Sequence, residues 1–383
     1  MPKQKLQAKT PQTRLIIAPS EQDANLYWAT RFLAPDPIIF IEHKRKKYLI
    51  LNDLEADRGK KEAQVDQVLR YSELERQIGR VNGRPRGYLE VVSHFLKTKG
   101  VKTVAVPYDF PLAYGLSLKK KKIHTEVLAD PFYPKRLIKT PKEKAAIKKT
   151  LSYVSEAIGQ AYTVLRESKI RGNRIYWRGK VLTSEILKGV INGHLMKRNC
   201  LGKHTIVAGG AQGVDPHCEG SGPLPPNKPI IMDVFPKSMD SQYYGDMTRT
   251  VVKGKATEAF RKQWQAVKVA QEHGIKMVKG GVDGKSIHQW IMNYFEEHGY
   301  HTGMKNGRMQ GFFHGTGHGL GIDIHEAPRV STVSQILKPG NVITIEPGLY
   351  YTGVGGVRIE DVVFVTKTGR ELLSRCPKIL EIP

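Results

Sequence analysis

Five side chains in the C-terminal half of the sequence are of types that divalent cations select: Asp233, Asp246, His318, Glu346 and Glu360. Asp233 closes the apolar run Pro229-Ile-Ile-Met-Asp233, Asp246 opens Asp246-Met-Thr-Arg-Thr250, and His318 lies in His314-Gly-Thr-Gly-His318-Gly-Leu-Gly-Ile-Asp-Ile-His325-Glu-Ala-Pro328. Glu346 sits in Thr344-Ile-Glu346-Pro-Gly-Leu-Tyr350 and Glu360 in Val357-Arg-Ile-Glu360-Asp361. A single Asp or Glu at a strand end is usually a solvated carboxylate. Four carboxylates and one imidazole brought together would instead neutralise two divalent cations through shared oxygens, and solvent held between two such ions is a hydrolytic nucleophile. The oxygen-rich set with one imidazole favours Mn2+ over a thiolate-selected metal, with Co2+, Zn2+ or Fe2+ as alternatives.

In order, local sequence and spacing, these motifs resemble the proline-specific metallopeptidases, the aminopeptidase P and prolidase group, over roughly residues 136 to 383. The resemblance implies an α/β (α+β) chain: a creatinase-like N-terminal domain over residues 1–135, then a pita-bread catalytic domain over 136–383. The first part matches only loosely, through Asn25-Leu-Tyr-Trp-Ala-Thr30. The resemblance also implies roles. Asp233 would chelate one metal, Asp246 and Glu360 would bridge both, and His318 with Glu346 would complete the ligands of the other. Glu346 would also be the general base acting on a metal-bridging hydroxide. His325 would donate to the carbonyl oxygen as charge develops on it, and His217, in Val214-Asp-Pro-His217-Cys-Glu219, would contact the substrate amide or carry a proton. His314 would line the substrate pocket, and Tyr350 would line it or hydrogen-bond a ligand. Arg358 would lie near the substrate's C-terminal side or orient Asp246 or Glu360 through an ion pair. Thr248 and Arg249 are read as support for Asp246, and Glu326 and Asp361 as structural carboxylates. The activity implied is cleavage of Xaa-Pro bonds in peptides or dipeptides with proline second, by a homodimer or homotetramer.

The sequence departs from the family pattern at the first ligand pair. Asp233 and Asp246 are separated by twelve residues instead of ten, and the common Asp-x-Gly becomes Asp233-Val-Phe235. An even-numbered insertion in a hairpin keeps both side chains on one face, so the extra length is assigned to the turn Pro236-Lys-Ser-Met-Asp-Ser241 and Asp240 is read as a decoy. The glycines around His318 are expected to let backbone and metal approach closely.

At 383 residues, 40% hydrophobic, the chain is long enough for two cores. Its three cysteines, Cys200, Cys218 and Cys376, are too scattered for a disulfide framework. The start, Met1 to Thr10, is basic without an apolar segment behind it, and no run approaches the length of a membrane span. A cytoplasmic protein with no membrane partner is expected. The net charge of +25 has basic runs at Lys44 to Lys47 and Lys119 to Lys122, but without interleaved aromatic residues, so nucleic acid is not the expected partner. The competing reading is a non-catalytic binding protein on the same fold with a nucleic-acid or protein partner; such relatives lose metal ligands, and all five are present. A creatinase-like hydrolase is disfavoured for the same reason.

Residues 37–51 read as two strands joined by a basic turn. Glu62 to Arg76 and Gly87 to Lys99 have helical spacing; Val101 to Val106 and Ile123 to Val127 read as strands. Thr140-Pro-Lys-Glu143 is a capping box opening a long helix to about Ser168. Further helices are expected at Thr183 to Asn199, Lys255 to His273 and Ser286 to Gly299. Strands are expected at Thr205 to Ala208, Pro229 to Val234, Thr248 to Val252, Val342 to Glu346 and Val362 to Thr366.

Overall fold

The computed structural model describes residues 12–79 and 87–383; the basic start from Met1 to Thr10 lies outside them. The chain divides into two compact units, Met1–Arg136 and Leu137–Pro383. The first holds β1 (Thr13–Ala18), α1 (Ala24–Thr30), β2 (Ile38–His43), β3 (Lys46–Leu51), α2 (Asp53–Glu62), β4 (Gln67–Arg70), α3 (Tyr71–Ile78), α4 (Tyr88–Thr98), β5 (Thr103–Pro107), α5 (Leu112–Lys120) and β6 (His124–Leu128). Its six strands form one mixed sheet in the order β4-β3-β2-β1-β5-β6. The basic hairpin turns through Lys44 and Arg45, at φ of 48° and 70°. The helix expected over Glu62 to Arg76 forms only at its end, as α3 from Tyr71; its first part is the end of α2, a turn and a strand. Asn52 caps α2 ten residues early, and residues 67–70 pair in parallel with β3; Lys47 N–H donates to Asp66 Oδ2 at 2.7 Å. The sheet's open edge satisfies backbone groups that a solvated helix would leave to itself, and that overrides local periodicity.

The second unit begins with α6 (Pro141–Glu167), whose Thr140–Glu143 capping box is formed. A small sheet follows, β7 (Lys169–Arg171), β8 (Arg174–Trp177) and β9 (Lys180–Val181), then α7 (Ser184–Met196) and β10 (Cys200–Leu201). Next come β11 (Ile206–Gly209), β12 (Pro229–Val234), β13 (Lys237–Ser238), β14 (Met247–Lys253), α8 (Glu258–Met277) and α9 (Gly284–Glu297). The chain ends with β15 (Gly303–Lys305), β16 (Arg308–Gln310), β17 (Gly317–Gly319), β18 (Glu326–Val330), β19 (Val342–Ile345), β20 (Gly348–Tyr351), β21 (Gly355–Arg358), β22 (Asp361–Val365), β23 (Arg370–Leu372) and β24 (Glu381–Ile382). The helices start where side-chain caps dictate: Thr183, Thr257 and Asp283 accept from Ile186, Phe260 and Lys285 N–H.

One arrangement occurs twice in this unit. Helices α6 and α7 bury Val154, Ile158 and Leu187 against Met232 and Val251 of the sheet β11-β12-β14-β24. Helices α8 and α9 bury Phe260, Val267 and Ile291 against Ile343 and Val363 of the sheet β18-β17-β19-β22-β23. Each sheet has one helix-covered face, which leaves the opposite faces to build a site between them.

Candidate metal centre

The first sheet contributes the two aspartates. In the antiparallel pair β12/β14, Asp233 stands directly opposite Thr248. Strand alternation puts Asp246, two residues before Thr248, on that same face. The long connection between them does not float: β13 pairs with β10, Gly245 N–H donates to Pro236 O, and Tyr244 N–H to Gly321 O at 2.9 Å. Asp240, at its tip, accepts from Asn199 at 2.5 Å and takes no part in the site. The second sheet contributes the rest. His318 is the middle residue of β17, Glu346 follows β19 with its N–H on Thr316 O, and Glu360 lies between β21 and β22 with its N–H on Thr248 O. That last bond ties the two sheets together at the site.

Ligand atoms of Asp246, His318 and Glu360 lie within 4.8 Å of one another. His318 Nδ1–H donates to Gly319 O at 3.0 Å, which turns Nε2 toward Glu346 Oε1 at 3.2 Å and Asp246 Oδ2 at 3.7 Å. Glu346 joins the cluster through this imidazole. Asp233 flanks it, with Oδ2 held by Arg358 Nη2 at 2.7 Å. Asp233 Oδ1 and Glu360 Oε1 are buried without a hydrogen-bond partner, a costly state for carboxylate oxygens. Burial, together with repulsion from Glu360, Asp233 and Glu346, pushes the Asp246 pKa well above the carboxylate range. Burial and the charges of Glu346 and Asp233 do the same to Glu360. Glu346 goes the other way: burial would raise it, but the hydrogen bond and charge of His318, with His314 and Arg358, hold it at about 2. Orphaned oxygens and crowded, dry negative charge are what a divalent cation relieves, so the residues present fit metal ions.

A cleft of about 960 Å³ opens onto the cluster, and His217, His314, His325, Phe235 and Arg329 line it. His217 and His325 are exposed. The His325 ring stands edge-on to that of His318, centroids 4.4 Å apart; desolvation and the charges of His318 and Arg329 lower its pKa to about 4. His314 Nδ1 faces Gly315 O at 2.8 Å, so Nδ1 carries the proton and Nε2 accepts from Tyr350 Oη at 3.1 Å. Burial brings the His314 pKa to about 4.

Several residues stand elsewhere than the sequence suggested. Tyr350, expected to line the pocket or hydrogen-bond a ligand, is fully buried and bridges His314 to Arg358 Nη1. Arg358 spends its other donors on Thr248 Oγ1, Pro216 O and Asp233, so its ion pair orients Asp233, not Asp246 or Glu360. Thr248 and Arg249 support Glu360 instead of Asp246: Thr248 Oγ1 donates to Glu360 Oε2 at 2.7 Å, and Arg249 Nη1 to Glu360 O. A Cβ on Gly317 would meet Thr344 O at 2.0 Å, and one on Gly319 would meet Ala327 O at 2.2 Å. These glycines let β17 fit between its neighbours. Arg329 escaped the sequence reading, though period two was there to find it: exposure alternates from His325 to Val330, placing Arg329 on the face of His325. Its guanidinium makes no hydrogen bond or ion pair among the described residues.

Buried carboxylates that repel one another are relieved by cations placed among them, the arrangement of a metal-dependent hydrolase. Residues 145–367 match the model of metallopeptidase family M24, and the chain belongs to that family. It is 29% identical over 289 residues to an Xaa-Pro dipeptidase of Pyrococcus horikoshii, covering 74% of this chain and 76% of that one. Among solved structures, an Xaa-Pro dipeptidase from Bacillus anthracis superposes with TM-score 0.81 at 22% identity, covering 97% of this chain and 95% of the other. An X-Pro aminopeptidase from Thermotoga maritima gives 0.78 at 23% identity and 97% of both chains. These likenesses establish the pita-bread fold. Among the described residues no helix is long and apolar enough to cross a membrane.

Proposed function

We propose that the chain hydrolyses Xaa-Pro bonds with two divalent cations, Mn2+ in the first instance, held by Asp233, Asp246, His318, Glu346 and Glu360. The observation that carries the reading is the pair of unpartnered buried oxygens, Asp233 Oδ1 and Glu360 Oε1, on residues that line one cleft. When bound, such ions would lower the pKa of coordinated solvent and polarise the scissile carbonyl. Glu346, anionic far below neutrality, is the general base that takes the proton of the attacking solvent. His325, neutral at pH 7 because its pKa is near 4, keeps an N–H to donate to the carbonyl oxygen as it becomes an oxyanion. His217, exposed on the cleft wall, carries a proton toward the proline nitrogen, which has no N–H of its own. Arg358 and Tyr350 act from behind, holding Asp233 and His314. His314, with both ring nitrogens engaged, shapes the pocket wall. Arg329, an unpaired cation in the cleft, suits the carboxylate of a short substrate and favours dipeptides over long peptides.

The domains are taken as residues 1–135 and 136–383, and a cytoplasmic homodimer or homotetramer is the working assembly; the three cysteines are free thiols, consistent with a reducing compartment. The binding-protein alternative is not favoured, because the chain is a metallopeptidase by family and keeps its ligand set. The deciding experiment is hydrolysis of Gly-Pro and Ala-Pro by purified, chelator-stripped protein. Activity should be absent after stripping, return with Mn2+, and track two bound equivalents by elemental analysis. Full activity in the stripped protein would sink the mechanism.

A further inference from the structure

One buried ion pair has no part in the chemistry above. Lys139 Nζ and the Glu326 carboxylate are in contact with both side chains only 2% exposed, and Glu326 directly follows His325. Withdrawing two charges from water costs more than their attraction returns unless the geometry is tight, and an apolar pair often holds a fold as well. Conformational specificity is the remaining use. The alternation of exposure from His325 to Val330 turns Glu326 inward where His325 turns to the cleft. Its carboxylate lies over Gly321, so closely that a Cβ there would meet the two oxygens at 2.6 and 2.7 Å. Glu326 thus fills the inside of the turn 321–325 that joins β17 to β18.

Lys139 is a fixed anchor for that carboxylate. Its N–H donates to Gly340 O at 2.8 Å, and the next residue is the N-cap of α6. The same helix start reaches the turn by a second route: Glu143 accepts from Tyr243 Oη at 2.6 Å, and Tyr244 N–H donates to Gly321 O. We infer that Lys139 is a positioning residue which, through Glu326, fixes the turn that aims His325 at the substrate carbonyl. The inference rests on the peptidase reading.

The test is Lys139→Met, which keeps length and removes charge, compared with Lys139→Arg. Misplacing a catalytic group by about 1 Å costs on the order of 10² in rate, so kcat on Ala-Pro should fall roughly ten- to hundredfold. KM and bound Mn2+ should change little, and Lys139→Arg should recover most of the loss. In a His325→Ala background the same substitution should cost less than about twofold further, because its effect passes through His325. Amide hydrogen exchange should rise across residues 317–326 and stay unchanged in α8 and α9. Should Lys139→Met fail to fold, Lys139→Met/Glu326→Gln, which buries no unpaired charge, takes its place with the same expectations. Unchanged kcat, an equal loss with and without His325, or a loss that follows metal content would each overturn the inference. A wild-type chain inert on every Xaa-Pro substrate would count against the peptidase reading alone, and the exchange at 317–326 would still decide the Lys139 link.

Discussion

Glu360→Gln should make the metal-free protein more stable and the metal-loaded protein less so. Oxygens of Glu360 and Asp246 lie within 4.8 Å of each other. Two unit charges at that distance repel by roughly 3.5 kcal/mol in an effective dielectric of about 20. The amide removes that repulsion, can still accept from Thr248 Oγ1, and places an N–H where Oε1 has no partner. For a unit of 150–250 residues, roughly 2–4 °C per kcal/mol gives a Tm increase of up to roughly 7–14 °C. The sign with pH follows from the direction of the shifts. Both folded-state carboxyls titrate above their unfolded range, so their contribution is fully present below about pH 4 and is lost as pH rises through the folded pKa values. The stripped wild type should therefore weaken toward alkaline pH, and the gain from Glu360→Gln should be small near pH 5 and largest near pH 8.5. Mn2+ at about 1,000 times its Kd adds roughly 4 kcal/mol to the wild type, and the variant should lose most of that gain. Scanning calorimetry of stripped and Mn-loaded samples across this pH range reads all four states. A stripped variant less stable than stripped wild type at pH 8.5, or one that keeps the full Mn2+ shift, refutes the reasoning.

His325→Ala should lower kcat by about 10² to 10³ with metal content intact, while His318→Ala should lose metal; elemental analysis beside steady-state kinetics separates the two, and the reverse pattern would exchange their roles. Arg329→Ala should raise KM for Ala-Pro by roughly 10-fold or more, the loss of a charge-assisted contact, and barely alter KM for Ala-Pro-NH2; equal effects on both would remove Arg329 from carboxylate recognition. Arg358→Lys should lower metal affinity about 10- to 100-fold, because a point charge cannot hold Asp233, Tyr350, Thr248 and Pro216 at once; unchanged Mn2+ titrations would contradict that. Binding to double-stranded DNA should be weak, with no sequence preference, and steeply salt-dependent, with a smaller slope when Lys119 to Lys122 are neutralised; tight, selective binding near 150 mM salt would revive the binding-protein reading.

The residues proposed as ligands stand out in the sequence because metal chemistry restricts residue type, and the strands and caps beside them obey local rules. Thr140 and Glu143 announce α6, and the apolar run ending at Asp233 announces β12. What sequence could not convey is pairing across long separations. Arg358 and Asp233 are 125 residues apart, as hidden from local pattern as the contact between Lys139 and Glu326. The misread first part of the helix expected over Glu62 to Arg76 has the same origin, since the edge of β3 that captured residues 67–70 is a tertiary fact. The glycines around His318 were visible in the sequence, but not that the carbonyls of Thr344 and Ala327 are what a Cβ there would meet.

The connection between Asp233 and Asp246 has a use in engineering. Its two ends are set by the pairing of β12 with β14, and its flanks by Tyr243, Tyr244 and Gly245. The tip, Met239 to Ser241, is exposed at Met239 and Asp240 but tied by Asn199, which accepts from Met239 N–H and donates to Asp240. Loop closure grows only logarithmically in cost with length, about 0.6 kcal/mol per doubling. A reporter peptide or an affinity handle inserted after Asp240 would therefore cost little in loop closure where the contacts with Asn199 are kept.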